Sequence, residues 1–153
     1  MINSKKKTIL VVDDVPVNIE VLSSILGNDY NIMVATSGAQ ALEVATQQPD
    51  LILLDVMMPD MDGYEVCRRL KRAPAISGIP VIFVTALNDV EDEIKGLSLG
   101  AVDYLTKPVH AAITLARIKC HLELKQSRDE LQELNRLLKQ QVRSDEARNA
   151  GKK

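Results

Sequence analysis

Four short runs rich in β-branched residues, 8–12, 32–35, 51–54 and 81–85, are apolar without a break, and they dictate the kind of sheet this chain can build. A strand with one wet face alternates apolar and polar residues. A continuous apolar run reads instead as a strand covered on both sides. A fifth, shorter run spans 103–106. The intervals are too long for hairpins and carry helical patterns. Residues 17–26 place Val17, Val21, Leu22 and Ile25 on one face and stop before Gly27-Asn28. Residues 39–46 follow Thr36-Ser37-Gly38 and stop before Pro49. Residues 64–72 follow Asp62, whose carboxylate can cap free amides, with Glu65 three places on as in a capping box. Residues 90–99 follow Asn88-Asp89 and end at Gly100. Strand and helix therefore alternate as in right-handed βαβ units. The expected fold is α/β: a doubly wound, five-stranded parallel sheet of flavodoxin-like order 2-1-3-4-5, with an extended C-terminal helix.

Ligands of such sheets sit beyond the carboxyl ends of the strands. On that edge the sequence places Asp13-Asp14 after the first strand, Asp55 after the third, Thr85 at the end of the fourth and Lys107-Pro108 after the fifth. Each is ordinary alone: an acidic pair caps helices, a threonine suits a strand, a lysine suits a surface. Asp55 is harder to dismiss, because a carboxylate at the end of a fully buried strand is costly unless paired or metal-bound. All four on one edge read as a site. Clustered carboxylates without a matching Cys or His favour a hard, oxygen-loving cation, and Mg²⁺ is the natural guest. A carboxylate there can act as a nucleophile toward a phosphoryl group.

With "DVMMPDMDG" around Asp55, "VIFVTA" ending in Thr85-Ala86 and "DYLTKP" ending in Lys107-Pro108, the chain resembles the receiver domain of two-component response regulators over about residues 7–122. The resemblance implies that Asp55 is the phosphoacceptor, supplied by a phosphohistidine on a sensor histidine kinase or phosphotransfer protein. It implies that Asp13, Asp14, Asp55 and the backbone carbonyl of Met57 hold Mg²⁺, with Asp14 the more direct ligand. Thr85, with Ala86 beside it, and Lys107 match the phosphate-binding and switch positions, and Tyr104 the aromatic that turns inward with the threonine. The Lys107-Pro108 bond is expected to be cis, and Gly63 to fit a turn of positive φ. Signal would leave through the fourth helix, fifth strand and fifth helix. Met57 and Leu87, apolar where some relatives carry polar residues, imply a long-lived phosphoryl group. Asp103 and Arg117 match positions that pair across a dimer in some relatives.

From Val109 the chain reads as helix for some 35 residues. Ile113, Leu115, Ile118 and Leu122 are available to pack on the sheet, and beyond them Leu124, Leu131 and Leu138 fall seven apart with Leu134 between. This resembles a short two-stranded coiled coil, the other possibility being a solvated extension. The expected division is a receiver domain over 1–122 and, over 123–153, a helical extension that either makes a homodimer or leads to a fused output domain. Charge is also uneven along the chain: residues 1–108 carry 9 Lys/Arg against 15 Asp/Glu, and 109–153 carry 10 against 6. The tail's bases are interspersed with acids and lack aromatic neighbours, which argues against direct nucleic-acid binding. Cys67 and Cys120 are far apart and without metal spacing, His110 and His121 read as structural or exposed, and no run spans a membrane, so a cytoplasmic, reduced protein is expected. The chain is not expected to be an enzyme beyond its own phosphorylation and dephosphorylation. Three rivals fit less well. An aspartate phosphohydrolase wants an acid two residues after the nucleophile, where Met57 stands. A pseudo-receiver has no use for the retained Asp14, Asp55, Thr85 and Lys107. A flavodoxin-like cofactor binder wants glycines and hydroxyls in place of "DDVPVN".

Overall fold

In the computed structural model, which describes residues 5–151, strands and helices alternate from end to end. The ends of the expected domain bounds, 1–4 and 152–153, lie outside the described residues. The order is β1 (Thr8–Val12), α1 (Pro16–Leu26), β2 (Asn31–Ala35), α2 (Gly38–Ala45), β3 (Leu51–Leu54), α3 (Gly63–Arg72), β4 (Val81–Thr85), α4 (Val90–Ser98), β5 (Asp103–Thr106) and α5 (Ala111–Ala150). The strands form one parallel sheet of order β2-β1-β3-β4-β5, as expected.

The unbroken apolar runs are explained by two cores, one on each face of the sheet. Ile52 and Leu54 of β3 join Leu10, Val12 and Phe83 in a core closed by α2 and α3 through Ala41, Val66, Cys67 and Leu70. Leu51 and Leu53, pointing the other way, join Ile9, Val11, Ile82 and Val84 beneath Leu22 and Leu26 of α1 and Ile118 of α5. β2, at an edge, departs from the expected double burial, and Val34 is exposed.

Local signals set several helix starts. Ser37 caps α2 by accepting from the Gln40 amide at 3.1 Å, and Asp62 caps α3 by accepting from the Glu65 amide at 2.9 Å. Glu65 does not complete the capping box but pairs with Arg68 in its own helix. α5 begins at Ala111 rather than Val109, because the Nδ1 of His110 accepts from the Ile113 amide at 3.3 Å and caps the helix there.

Two faces differ from expectation. α1 buries Ile19, Leu22 and Leu26, while Val17 and Val21 are exposed at 57% and 45%. Its first half is apolar on more than one side, so spacing alone fits two registers, and docking on the sheet selects one. On α5, Thr114 and Ile118 are buried and Leu115 and Leu122 pack beside them, but Ile113 points outward.

Asp103 fixes α5 to the sheet edge. It accepts from Arg117 Nη1 at 2.9 Å and lies 3.0 Å from His121 Nε2, so Asp103 and Arg117 pair within one chain here. Farther on, Arg128 Nη2 donates to the Gly78 carbonyl at 3.1 Å. Residues 129–151 are all exposed. No helix among the described residues is long and apolar enough to cross a membrane.

Burial alone would raise the Asp103 carboxyl, but bonds from His121, the Tyr104 amide and Arg117 outweigh it and hold its pKa below the ordinary aspartate value. The stability this contributes is present above the unfolded-state value of about 3.9 and is lost as pH falls through the folded one. Asp103→Asn should therefore lower unfolding stability by about 1–2 kcal/mol near pH 7, with the difference shrinking below about pH 4, in urea melts run across pH. Ile118→Ala should cost about 2–5 kcal/mol. Leu131→Ala, in the exposed part of α5, should change the stability of dilute protein by less than about 0.5 kcal/mol.

Candidate functional site at the strand ends

The hydrogen-bonded ladder carries the site residues one step beyond the strands. The Asp55 amide donates to the Val12 carbonyl at 3.0 Å, Asp13 N to Ala35 O at 3.2 Å, and Lys107 N to Thr85 O at 2.8 Å. Neighbouring strands thus fix where these backbones stand. Asp13 and Asp55 are 1% and 5% exposed, and Thr85 is fully buried. One carboxylate oxygen from each of Asp13, Asp14 and Asp55 lies within 4.8 Å of the others.

Lys107 holds this cluster together. Its Nζ donates to Asp13 Oδ2 at 2.6 Å and to Asp55 Oδ2 at 3.1 Å. Burial would lower its pKa, but the bonds to Asp13 and Asp55 and the field of both carboxylates raise it above the ordinary lysine value. The other carboxylate oxygens are held by backbone: Asp13 Oδ1 accepts from Val15 N at 3.0 Å and Asp55 Oδ1 from Met57 N at 3.2 Å. Three carboxylates face one ammonium, so the cluster keeps an excess of negative charge. Its donors are all hard oxygens, and the Met57 peptide lies beside them. That donor set fits Mg²⁺ and suits neither a soft metal nor an imidazole-loving one.

The loop after Asp55 folds back on the site, and this explains Gly63. The Gly63 amide donates to the Val56 carbonyl at 2.9 Å, and a Cβ at Gly63 would stand 2.1 Å from the Asp55 carbonyl oxygen. Positive φ was the expected reason for this glycine, yet among the described residues positive φ falls at Gln48, Asp60 and Gly100. Gly63 is required by close approach of α3 to the backbone of Asp55.

Around Thr85 the site connects to α4. Thr85 Oγ1 accepts from the Leu87 amide at 3.4 Å, Ala86 is exposed, and the Lys107-Pro108 bond is cis. Tyr104 is buried, and its hydroxyl donates to the Leu87 carbonyl at 3.0 Å. Burial first, then bonding to Tyr64, raises its pKa far above that of a free phenol.

Sequence reasoning missed Tyr64. Its hydroxyl donates to the Asp92 carbonyl in the first turn of α4 at 3.0 Å, and Lys95 Nζ stands 4.6 Å from its ring centroid. Phe83 lies between the tyrosines, with centroids 5.4 Å from Tyr64 and 5.9 Å from Tyr104. Gly96, the buried residue of α4, fits against Phe83 and Tyr104, where a Cβ would come within 2.9 Å and 3.0 Å. The chain has only three Tyr and one Phe, and three of those four meet here, so the scarcity of aromatics was a usable signal. Leu124, Leu131, Leu134 and Leu138 are far along α5, exposed and outside this site.

The family model described as the response regulator receiver domain matches residues 9–119. The chain is 47% identical over 136 residues to a probable cyclic di-GMP phosphodiesterase of Vibrio cholerae, covering 88% of this chain and 31% of that protein. It is 45% identical over 127 residues to the response regulator PleD of Caulobacter vibrioides, covering 82% of this chain and 28% of PleD. The chain thus spans less than a third of the length of these two relatives. Among solved structures, the BeF3-activated N-terminal receiver domain of Klebsiella pneumoniae RstA superposes with a TM-score of 0.71 at 36% identity, covering 76% of this chain and 98% of that one. By sequence and by fold, the chain belongs to the response regulator receiver domain family.

Proposed function

We propose that this receiver works by phosphorylation of Asp55, with a phosphohistidine of a sensor histidine kinase or phosphotransfer protein as donor. The observation that carries the proposal is the Lys107 ammonium bridging Asp13 and Asp55 beside Asp14, on the edge where the fold presents its ligands. Asp13, Asp14, Asp55 and the Met57 carbonyl are the groups that would hold Mg²⁺, which supplies charge neutralisation for the phosphoryl oxygens. An Asp55 carboxylate oxygen attacks phosphorus, the bond from phosphorus to the donor imidazole breaks, and its electron pair returns to the ring. Lys107, already on Asp55, moves its ammonium onto a phosphoryl oxygen. Thr85 turns its hydroxyl from the Leu87 amide to donate to another.

The donor docks beside the site. Val17 and Val21 of α1 are exposed, and an apolar cleft of about 450 Å³ runs from Asn18, Val21 and Leu22 to Lys107, Pro108 and Val109. Apolar residues lining a cleft that ends at Lys107, which is bonded to Asp55, suit the apolar face of a partner helix. Output follows the hold on α4. Phosphorylation draws Thr85 inward and biases a two-state equilibrium of the loop that Tyr104 grips. The exposed helix beyond residue 122 then carries the signal, to a second copy or to an output module in a longer protein. The length of the relatives supports the latter role.

Incubation with acetyl phosphate and Mg²⁺ should add one phosphoryl group by intact-mass spectrometry. Asp55→Asn should take none, and chelation of Mg²⁺ should prevent labelling. Failure of the wild-type chain to label would overturn the proposal. Because neither Met57 nor Leu87 offers a polar side chain to position water, the label should persist for minutes or longer, and decay within seconds would contradict this. Tyr64→Phe should keep labelling but loosen α4. Loss of one hydrogen bond worth about 1 kcal/mol should speed amide exchange in the first turn of α4 about fivefold.

A further inference from the structure

Both ends of α4 are carried by α3. At the first turn of α4, the Tyr64 hydroxyl donates to the Asp92 carbonyl. Cys67 and Lys71, four residues apart and so on one face of α3, meet the other end. Cys67 Sγ donates to the Leu99 carbonyl at 3.8 Å. Gly100, with φ at +106°, lies against the Lys71 stem, and a Cβ there would stand 3.2 Å from Lys71 Cγ and 3.5 Å from Cδ and Cε. In so close a contact the end of α4 cannot shift without moving that stem.

The head of the same lysine faces the loop between α3 and β4. Its Nζ donates to the Ser77 carbonyl at 3.1 Å and to the Ile79 carbonyl at 2.9 Å. The carbonyl between them, that of Gly78, accepts from Arg128 Nη2 of α5 at 3.1 Å. Three successive carbonyls are thus shared by two cations, one rooted in α3 and the other in α5. Burial lowers the Lys71 pKa, Cys67 partly offsets this, and the Arg128 charge lowers it further, so the two cations feel each other across the loop. Among the described residues, nothing stands within 4 Å of where a Gly78 Cβ would be, so that peptide is held by its bonds and its neighbours' bonds, with no packing on that side. Once the ammonium lets go of Ser77 and Ile79, the Gly78 carbonyl is free to turn away from Arg128.

We propose that Lys71 is a positioning residue for α5: it joins the end of α4 to the carbonyl that anchors Arg128, so that displacement of α4 on phosphorylation loosens the root of the exposed helix. This rests on the switch role proposed for α4. Amide exchange of the full chain, followed by mass spectrometry, tests it. Arg128→Ala, at an exposed position, should speed exchange over residues 124–132 about fivefold. Lys71→Met keeps an unbranched stem but loses the ammonium, and it should do the same there while β1 and β3 exchange as in the wild type. Acetyl phosphate with Mg²⁺ should speed exchange over 124–132 at least about twofold in the wild type and change it little in Lys71→Met. Wild-type protection of 124–132 in either variant overturns the junction. A wild-type chain that labels on Asp55 without changing exchange over 124–132 overturns the coupling and leaves the receiver proposal standing. Should Lys71→Met fail to fold, Arg128→Ala and the wild-type response decide. A chain that takes no label overturns the receiver proposal, and the variants compared without acetyl phosphate still decide the junction.

Discussion

Two carboxylates buried side by side at the end of a sheet repel one another, and the Lys107 ammonium is what lets this sheet edge exist. Asp13 follows β1 and Asp55 follows β3, while Lys107 follows β5, with β4 lying between β3 and β5. The bridge therefore has to cross a strand. A lysine's four-carbon stem reaches that far, and its compact charge can serve two acids at once, which a planar guanidinium would do less freely. Thr85 lies on the strand being crossed, and its carbonyl accepts from the Lys107 amide. Any group that takes Lys107 away from Asp13 and Asp55 changes the balance of the whole edge.

From that edge two lines of contact lead to α4. One runs through Thr85, Leu87 and Tyr104. The other starts at the Asp55 backbone, passes through the close approach of Gly63, and ends at the Tyr64 hydroxyl on Asp92. α4 itself buries little more than Gly96 and exposes Val90, Ile94 and Leu97. A helix held by two phenols and one glycine contact belongs to the low-stability end of the molecule, the part that small free-energy changes can move.

Much of this was legible in the residues. Continuous apolar runs pointed to a doubly covered parallel sheet, and five strands in that length fitted the flavodoxin-like order that the sheet has. Asp13, Asp14, Asp55, Thr85 and Lys107 come together because each lies at the end of its strand, a position readable once the strands are known. What was not legible depends on tertiary fit. Apolar residues are too plentiful on α1 to name its buried face, and only docking separates Ile19 and Leu26 from Val17 and Val21. Gly63 looked like a turn glycine, since sequence does not show that Asp55's carbonyl lies against it. Asp103 and Arg117 pair within the chain because α5 lies along β5, with His121 completing the arrangement one turn later. Tyr64 looked like a helix-start residue because its partner, Asp92, lies 28 residues away.

The Arg128 contact with Gly78 gives α5 its mechanical character. It is the last side-chain anchor to the body among the described residues, and from there to Ala150 the helix runs about 33 Å without support. A rod of that length works as a pointer. Tilting its root by about 5° would carry its tip sideways by about 3 Å, roughly two residues' rise along a helix. A sub-ångström adjustment where α5 leaves the sheet can thus arrive at the far end as a displacement as large as a packed side chain. That amplification needs no flexible joint. It follows from stiffness and from where the last anchor lies.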